Sequence, residues 1–184
     1  MAKFEKVSRF AAVDLNLPER KTAKSAGYDF EVAEDIIIPP AYELTRNGML
    51  DVHDIDLSDP EAWTMDLDTI GKVTKHSGAK PSLVATGIKC QLADDEYLEL
   101  SVRSSCPLKY WLMLANGVGI IDADYYNNPD NEGEIFFQII NLSPYNIKLQ
   151  KGDRIGQGII HKYYKTEDDA ATGERVGGYG STGN

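Results

Sequence analysis

The residues of this chain best suited to chemistry lie at positions 115–126, with the sequence ANGVGIIDADYY. Gly117 and Gly119 permit a tight turn, because glycine reaches backbone angles that cost other residues free energy. Asp122 follows two isoleucines, and a carboxylate held by buried neighbours beside a hairpin can act as a general base. Tyr125 offers a flat ring for packing against a sugar or a base. An aspartate that only caps a turn is the alternative that this pattern leaves open.

Four further segments are rich in glycine, charged or hydroxyl residues. They are AGYDF at 26–30, VRSS at 102–105, KGDRIGQ at 151–157 and RVGGYGSTG at 175–183. In chain order, and together with residues 115–126, they resemble the five motifs of the trimeric dUTPase family, the dUTP pyrophosphatases. Each motif alone is weak evidence, but a chance match to five in register is very improbable. The resemblance extends from about residue 25 to the C-terminus, apart from one insertion.

The resemblance implies hydrolysis of dUTP to dUMP and diphosphate, which removes dUTP and supplies dUMP for dTTP synthesis. Asp122 is then the base that activates a water for in-line attack on the α-phosphorus. Asp124 competes for that role, because residues two apart in a strand share a face and the pattern alone cannot separate them. The family motif selects Asp122.

The family motifs also assign the nucleoside contacts. The resemblance implies that Asn116, with the main chain of Gly119, Ile120 and Ile121, recognises uracil. Tyr125 then stacks on deoxyribose and leaves no space for a 2′-hydroxyl. Such a pocket rejects cytosine by mismatched donors and thymine by lack of room for its methyl group.

The phosphate contacts fall on two other motifs. The resemblance assigns them to Arg103, Ser104, Ser105 and Gln157. Ser105 stands where the family usually has glycine, so its Cβ could alter the loop. Arg154 is expected to form a structural ion pair.

The resemblance implies Mg²⁺ as the cofactor. We expect the substrate phosphates to hold it, because Mg²⁺ sheds its waters reluctantly, and Asp29 to contact it through water. The net charge of the chain is −10, so a triphosphate needs local arginines and a shared divalent cation to enter. The same charge argues against a general nucleic-acid binder.

Residues 173–184 contain five glycines, a composition typical of a flexible end. The resemblance implies a lid that orders over the bound nucleotide. Arg175 then contacts the γ-phosphate, Tyr179 stacks over uracil, and Gly180 and Ser181 also bind substrate. The spacing between Arg175 and the next glycine pair is one residue shorter than is common, which leaves the exact contact of Arg175 open.

A chain of 184 residues fits one domain, here expected at 1–172 with the lid at 173–184. Short strands separated by Gly, Pro and Asn turns predict an all-β sandwich or barrel. The strands are predicted at 36–40, 97–102, 134–140, 146–149 and 158–164. The resemblance implies a jelly-roll β-barrel that forms a homotrimer, with each active site built from three subunits.

Residues 43–79 are an insertion relative to compact members of the family. Positions 51–68 carry seven acidic residues and no lysine or arginine, and SDPE at 58–61 predicts the start of a helix. A surface excursion packed on the barrel, a site for a regulatory protein partner and a carboxylate metal site remain as alternatives. A second short insertion at 127–132 is predicted to be a turn.

dCTP deaminase is the nearest alternative enzyme, because it shares the fold and an Arg-Ser-Ser motif. That family needs a catalytic glutamate at the position of Gln138, and an amide cannot serve as a carboxylate base.

Cys90 and Cys106 form no CxxC pair, which predicts two reduced thiols. The N-terminus lacks an apolar signal region, and no apolar run reaches membrane-spanning length. We therefore expect a cytoplasmic protein that contacts neither membrane nor nucleic acid.

Overall fold

The computed structural model describes residues 1–42 and 80–173, together with Arg175, Gly177 and Gly178. Strands dominate this part of the chain. In order they are β1 (Lys3–Lys6), β2 (Tyr28–Glu31), β3 (Ile36–Ile38), β4 (Ser82–Ala85), β5 (Ile88–Gln91), β6 (Glu96–Val102), β7 (Leu112–Leu114), β8 (Gly119–Asp122), β9 (Phe136–Asn141), β10 (Ile147–Leu149) and β11 (Arg154–Lys162).

Helices play a small part in the described residues. The α-helix α1 spans Ser105–Tyr110, and 3-10 helices span Ser8–Phe10 and Ala123–Tyr125. No described helix is both long and apolar enough to cross a bilayer.

Several predicted features lie outside the described residues. They are the insertion at 43–79 with its helix start at 58–61, and the lid residues Tyr179, Gly180 and Ser181. The division of the chain at residue 172 therefore stays a prediction.

The strands pair in antiparallel fashion. One sheet has the order β2-β11-β6-β8, a second has the order β4-β9-β7, and β1-β5 and β3-β10 form two-stranded ribbons. This arrangement confirms the predicted all-β class. The strand β1 was not predicted, because its short stretch KFEK is mostly charged and only its pairing with β5 makes it a strand.

The core lies between the sheets. Along β6 the alternation predicted from the sequence holds, since Leu98 and Leu100 are fully buried. Phe30 and Phe137 also have no exposed surface, and their ring centroids lie 5.8 Å apart. Strand β11 begins at Arg154, four residues before the predicted start, because its glycines make room for these rings instead of breaking the strand.

Gly156 provides the closest of these approaches. A Cβ at this position would lie 2.0 Å from Cε1 of Phe137, a fully buried ring that cannot move aside. We expect Gly156→Ala to lower the free energy of unfolding by about 1–3 kcal/mol or more, the usual scale of overpacking. Urea denaturation measures the change. Gly173→Ala is the control, because a Cβ there meets no atom within 4 Å, and an equal loss in both variants would contradict the steric explanation.

Pro40 and Ser82, which lie on either side of the insertion in sequence, both contact strand β9. Pro40 forms a bridge with Asn141, and Ser82 pairs with Ile139. Leu112 of β7 pairs with Asn141 from one side of β9, so Pro40 must contact Asn141 from the other side. That is the side on which Ser82 of β4 lies. Pro40 and Ser82 are two residues apart along β9, a distance of about 7 Å.

Both cysteines are free and buried. Burial raises the pKa of Cys90 to about 12 and also raises the pKa of Cys106. Both side chains are therefore uncharged thiols at neutral pH, in agreement with the unpaired thiols that the sequence predicts.

Candidate active site

The turn that joins β7 to β8 borders a cavity of about 180 Å³, which we call the hairpin pocket. The two strands belong to different sheets, so the residues predicted as a hairpin form a turn between sheets instead. The five predicted nucleoside contacts all line it: Asn116, Gly119, Ile120, Ile121 and Tyr125. The other walls come from β6, β7, β9 and the tail, through Leu100, Leu114, Phe136, Gln138, Arg175 and Gly178. The sequence predicted the hairpin side of this pocket and missed the wall formed by β9.

The two hairpin glycines have different roles. Gly117 has a φ of +72°, which favours glycine, and it makes the turn as predicted. Gly119 instead lies in β8, where a Cβ would be 3.1 Å from Cβ of Leu100. The expectation that both glycines serve the turn is therefore wrong for Gly119, which allows β8 to approach β6 closely.

Asp122 and Asp124 both face the tail. Asp122 ends β8, whereas Asp124 lies in the following 3-10 helix and not in the strand that the sequence suggested. Nη1 of Arg175 lies 3.1 Å from a carboxylate oxygen of Asp122 and 3.0 Å from one of Asp124. Asp122 keeps 52% of its side-chain surface exposed, so its carboxylate is open to water.

Tyr125 is fixed on several sides. Its hydroxyl donates a hydrogen bond to the main-chain oxygen of Glu134 at 2.8 Å and accepts one from the Asn131 amide at 2.7 Å. The guanidinium carbon of Arg175 lies 5.3 Å from the ring centroid, within cation–π range. The ring is 4% exposed, and burial raises the pKa of its hydroxyl. Tyr125 is therefore a rigid part of the pocket wall.

The loop at 127–132 does more than turn the chain. The Asn128 amide donates to the main-chain oxygen of Tyr125 at 3.1 Å and to the Asn131 side chain at 2.7 Å. Two of its residues, Asn127 and Glu132, have φ angles near +60°. The sequence predicted a turn here but missed that its asparagines hold Tyr125.

An ion pair between half-exposed Arg9 and buried Glu134 connects the N-terminal segment to the chain that follows this loop. Glu134 has 3% of its side-chain surface exposed, and Arg9 Nε lies 3.0 Å from its Oε2. The main-chain N–H of Gly87 donates to Oε1 of Glu134 at 3.1 Å. The main-chain oxygen of Glu134 also accepts the hydrogen bond from the Tyr125 hydroxyl. Arg9, in the 3-10 helix near the N-terminus, therefore helps to position Tyr125 in the pocket wall.

The contributions of Glu134 and Glu132 to the free energy of unfolding should change with pH in opposite directions. Burial raises the pKa of Glu134 above its ordinary 4.5, although Arg9 opposes the shift. Its stabilising contribution is then complete below pH 4.5 and lost as the pH rises through the folded-state pKa. We expect the free energy of unfolding of wild type minus that of Glu134→Gln, measured by urea denaturation, to fall as the pH rises above 4.5.

Glu132→Gln is the matched control. Hydrogen bonds from Ser8 lower the pKa of Glu132. Its contribution is therefore present above its unfolded-state pKa and lost as the pH falls through the folded-state value. The wild-type minus Glu132→Gln difference should rise with pH over the acidic range, and two differences of the same sign would contradict the assignment.

A second group of predicted residues lies at the other end of β6 and is here called the phosphate cluster: Asp29, Arg103, Arg154 and Gln157. Asp29 Oδ2 lies 3.2 Å from Nη1 of Arg154, and its Oδ1 lies 3.9 Å from Nε of Arg103. Gln157 pairs with Asp29 across β2 and β11. Arg154 thus makes the ion pair predicted for it, and its partner is another residue of the predicted site.

Ser104 and Ser105 introduce the helix α1. Ser105 is its first residue, and Ser104 is its N-cap with φ −54°. Ser105 has no positive φ, so its Cβ causes none of the strain that a glycine position would. The helix itself was not predicted, because Pro107 favours a turn and is tolerated here within the first helical turn.

The hairpin pocket and the phosphate cluster are separated within one chain. Asp122 lies opposite Tyr97, near the start of β6, whereas Arg103 directly follows the end of that strand. Six residues of extended chain span about 20 Å. The sequence-predicted site is therefore divided in two, with Arg175 at the Asp122 end and Gln157 at the other.

In the described part of the chain, no group of three or more His, Cys, Asp or Glu side chains is placed to hold a metal ion. Asp29 has the carboxylate oxygens that Mg²⁺ prefers. Since both oxygens already face guanidinium groups, Asp29 fits a contact through water better than direct coordination.

Comparison with solved structures identifies the fold. The crystal structure of dUTPase from Streptococcus mutans matches with a TM-score of 0.65 and 33% identity, over 89% of this chain and 98% of that one. A dUTPase from phage phi11 of S. aureus, described with a structural Mg(II) ion, matches with a TM-score of 0.57 and 15% identity, over 93% of this chain and 96% of that one, and so supports the fold alone. The chain has the jelly-roll fold of these proteins.

Sequence comparison then gives the family. A family model described as dUTPase matches residues 50–183. Deoxyuridine 5′-triphosphate nucleotidohydrolase of Lactococcus lactis subsp. lactis (strain IL1403) is 34% identical over 182 residues, 98% of this chain and 96% of the relative. The protein of that name from Helicobacter pylori (strain J99) is 29% identical over 91% of this chain and 88% of its own length. The chain belongs to the dUTPase family, and it is a hydrolase that acts on dUTP.

Proposed function

We propose that the enzyme converts dUTP to dUMP and diphosphate by attack of a water on the α-phosphorus, with Asp122 as the general base. The observation that carries this proposal is the position of Asp122. It directly follows Ile121 in the wall of the hairpin pocket, and its carboxylate is open to water. A base in this place can take a proton from a water held beside the nucleotide.

The hairpin pocket binds the nucleoside in this proposal. Asn116 and the main chain of Gly119 to Ile121 supply donors and acceptors, and the apolar walls exclude water. The fixed ring of Tyr125 stacks on deoxyribose. Because its hydroxyl is already engaged by Glu134 and Asn131, only the ring is available to the sugar.

The phosphates are bound by a neighbouring subunit. Arg103, Ser104 and Ser105 are too far from a triphosphate whose α-phosphorus lies beside Asp122 of the same chain, because about 20 Å separates Arg103 from Asp122 along β6. A homotrimer with shared sites removes this difficulty by placing the phosphate cluster of one subunit next to the hairpin pocket of another. The separation of the two groups within one chain supports this assembly.

In this scheme Arg175 exchanges its two aspartate partners for the γ-phosphate of the substrate. Arg175 pairs with Asp122 and Asp124 in the structure, and in the proposed reaction it moves to the γ-phosphate of the substrate. Its transfer frees Asp122 to accept the proton of the attacking water. Tyr179, Gly180 and Ser181 complete the lid as predictions from the sequence.

The residues present fit a Mg²⁺ ion that is held mainly by the substrate phosphates and that, when bound, neutralises their charge. Asp29 orients its water shell from the phosphate cluster. Arg103 and Arg154 hold that carboxylate in place, so the chain contributes a fixed acceptor for a metal-bound water.

A nucleotide panel tests the reaction. The purified protein with Mg²⁺ should release dUMP and diphosphate from dUTP and largely spare dCTP, dTTP and UTP. Release of a deaminated product from dCTP would instead favour the deaminase alternative. Gln138 in the pocket wall argues against that outcome, because an amide supplies no carboxylate base.

A role for residues 43–79 in binding a regulatory protein stays a prediction, as does the cytoplasmic location. The segment lies outside the described residues. Comparison of the proteins captured by the full chain and by a variant with 43–79 replaced by a short linker tests that role, with dUTP hydrolysis as the control for folding.

A further inference from the structure

We propose that Gln138 is a base-binding residue of the hairpin pocket, where its side-chain amide donates a hydrogen bond to O4 of the uracil ring. The inference rests on the proposed function, since it assumes that the base occupies this pocket. Neither the hairpin nor any of the five motifs contains Gln138, which lies in the middle of β9.

The position of Gln138 in β9 sets the direction of its side chain. Phe137 and Ile139 on either side have no exposed surface and point into the core. Because side chains alternate along a strand, Gln138 and Phe136 point to the opposite face. Both line the hairpin pocket, so that face is the one turned toward the ligand.

The amide of Gln138 has no hydrogen-bond partner among the described residues. Its main-chain oxygen accepts from the N–H of Ala115 at 2.8 Å, but its half-buried side chain faces a pocket whose neighbouring walls are Leu100, Leu114 and Phe136. The pocket also has polar walls, at Asn116 and Arg175, and the half-buried amide can bind water there. A ligand that displaces this water has to supply a hydrogen-bond partner of its own.

The base fits this amide better than the other parts of the nucleotide. The amide is uncharged, and the phosphates have cationic partners in Arg103 and Arg175. The bond from Ala115 places Gln138 next to Asn116, the residue proposed to recognise uracil. The edge of uracil with N3 and O4 points away from the sugar, so it faces the closed end of a pocket that the nucleoside enters with its base first.

Gln138 acts in concert with the hairpin main chain. A free glutamine amide can rotate to present either its oxygen or its nitrogen. The choice of uracil over cytosine therefore depends on the fixed main-chain groups, and Gln138 adds affinity for the carbonyl that those groups select.

Gln138→Met tests the proposal, because methionine has a similar length and no strong hydrogen-bonding group. The substrates are dUTP and its analogue with 2-pyrimidinone as the base, which lacks O4. We expect Gln138→Met to lower kcat/KM for dUTP about tenfold, the scale of one lost hydrogen bond to a buried group. The analogue should be hydrolysed equally by wild type and variant. Gln91→Met, at the exposed last residue of β5, is the matched control and should change neither value.

Two results would overturn the proposal: an unchanged kcat/KM for dUTP, or an equal loss on dUTP and on the analogue. Gln138→Leu provides a second variant should the methionine protein fold poorly. Leucine also lacks a hydrogen-bond donor and adds no charge, so the same selective loss on dUTP is expected. Failure of the proposed function is distinguishable, since wild type itself would then release no dUMP from dUTP.

Discussion

Asp122→Asn is expected to lower turnover of dUTP by about two orders of magnitude or more, the usual scale for loss of a general base. The substitution is isosteric and the carboxylate is half exposed at the end of β8, so folding should be unaffected. The introduced amide keeps the shape of the site but has little basicity, and nucleotide binding should persist. Single-turnover kinetics and the affinity for a non-hydrolysable dUTP analogue separate the two effects.

Asp124→Asn is the matched control. Both carboxylates pair with the same nitrogen of Arg175, so both variants remove one ion pair from the tail. Only Asp122 is proposed to take the proton, and Asp124→Asn should therefore keep most of the turnover. Normal hydrolysis by Asp122→Asn together with an inactive Asp124→Asn protein would reverse the assignment.

Mixing two inactive variants should restore activity. Asp122→Asn disables the hairpin pocket, and Arg103→Ala disables the phosphate cluster about 20 Å away on the same chain. If a site takes one group from each of two subunits, random exchange in an equal mixture leaves about a quarter of the sites intact. Activity should then rise from near background toward about a quarter of the wild-type value.

A site contained in one chain predicts no restoration at all. The control is a mixture of Asp122→Asn and Asp122→Ala, which share a defect and should stay inactive. Native mass spectrometry establishes that subunits have exchanged. An exchanged mixture of Asp122→Asn and Arg103→Ala without activity would count against shared sites.

The sequence predicted the architecture where local pattern governs it. The alternation of Leu98 and Leu100 located β6, and the prolines after Ile38 marked the end of β3. The local pattern gave the wrong start for β11. Its glycines suggest a loop, but in the structure Gly156 lies within the strand and leaves space for the Phe137 ring. That contact joins residues distant in sequence, so only tertiary packing explains it.

The site was predicted where the residues follow one another along the chain. Asn116, Gly119, Ile120, Ile121 and Tyr125, which lie within ten residues of sequence, line one pocket. Arg9 and Glu134 were not foreseen, because their pairing joins the N-terminal segment to a residue 125 positions away. A charged residue near the N-terminus has the same local pattern whether it lies in solvent or anchors a buried carboxylate.

The position of Pro40 and Ser82 on one side of β9 has a consequence for how such a barrel can diversify. With its two anchor points only about 7 Å apart, the barrel closes in the same way whatever length of chain joins them. Loop-closure entropy grows with the logarithm of length, so lengthening a link of about five residues to about forty costs only about 2 kcal/mol. New sequence can therefore accumulate between these anchors under little constraint from the core, and the catalytic framework and the segment it carries are free to evolve separately.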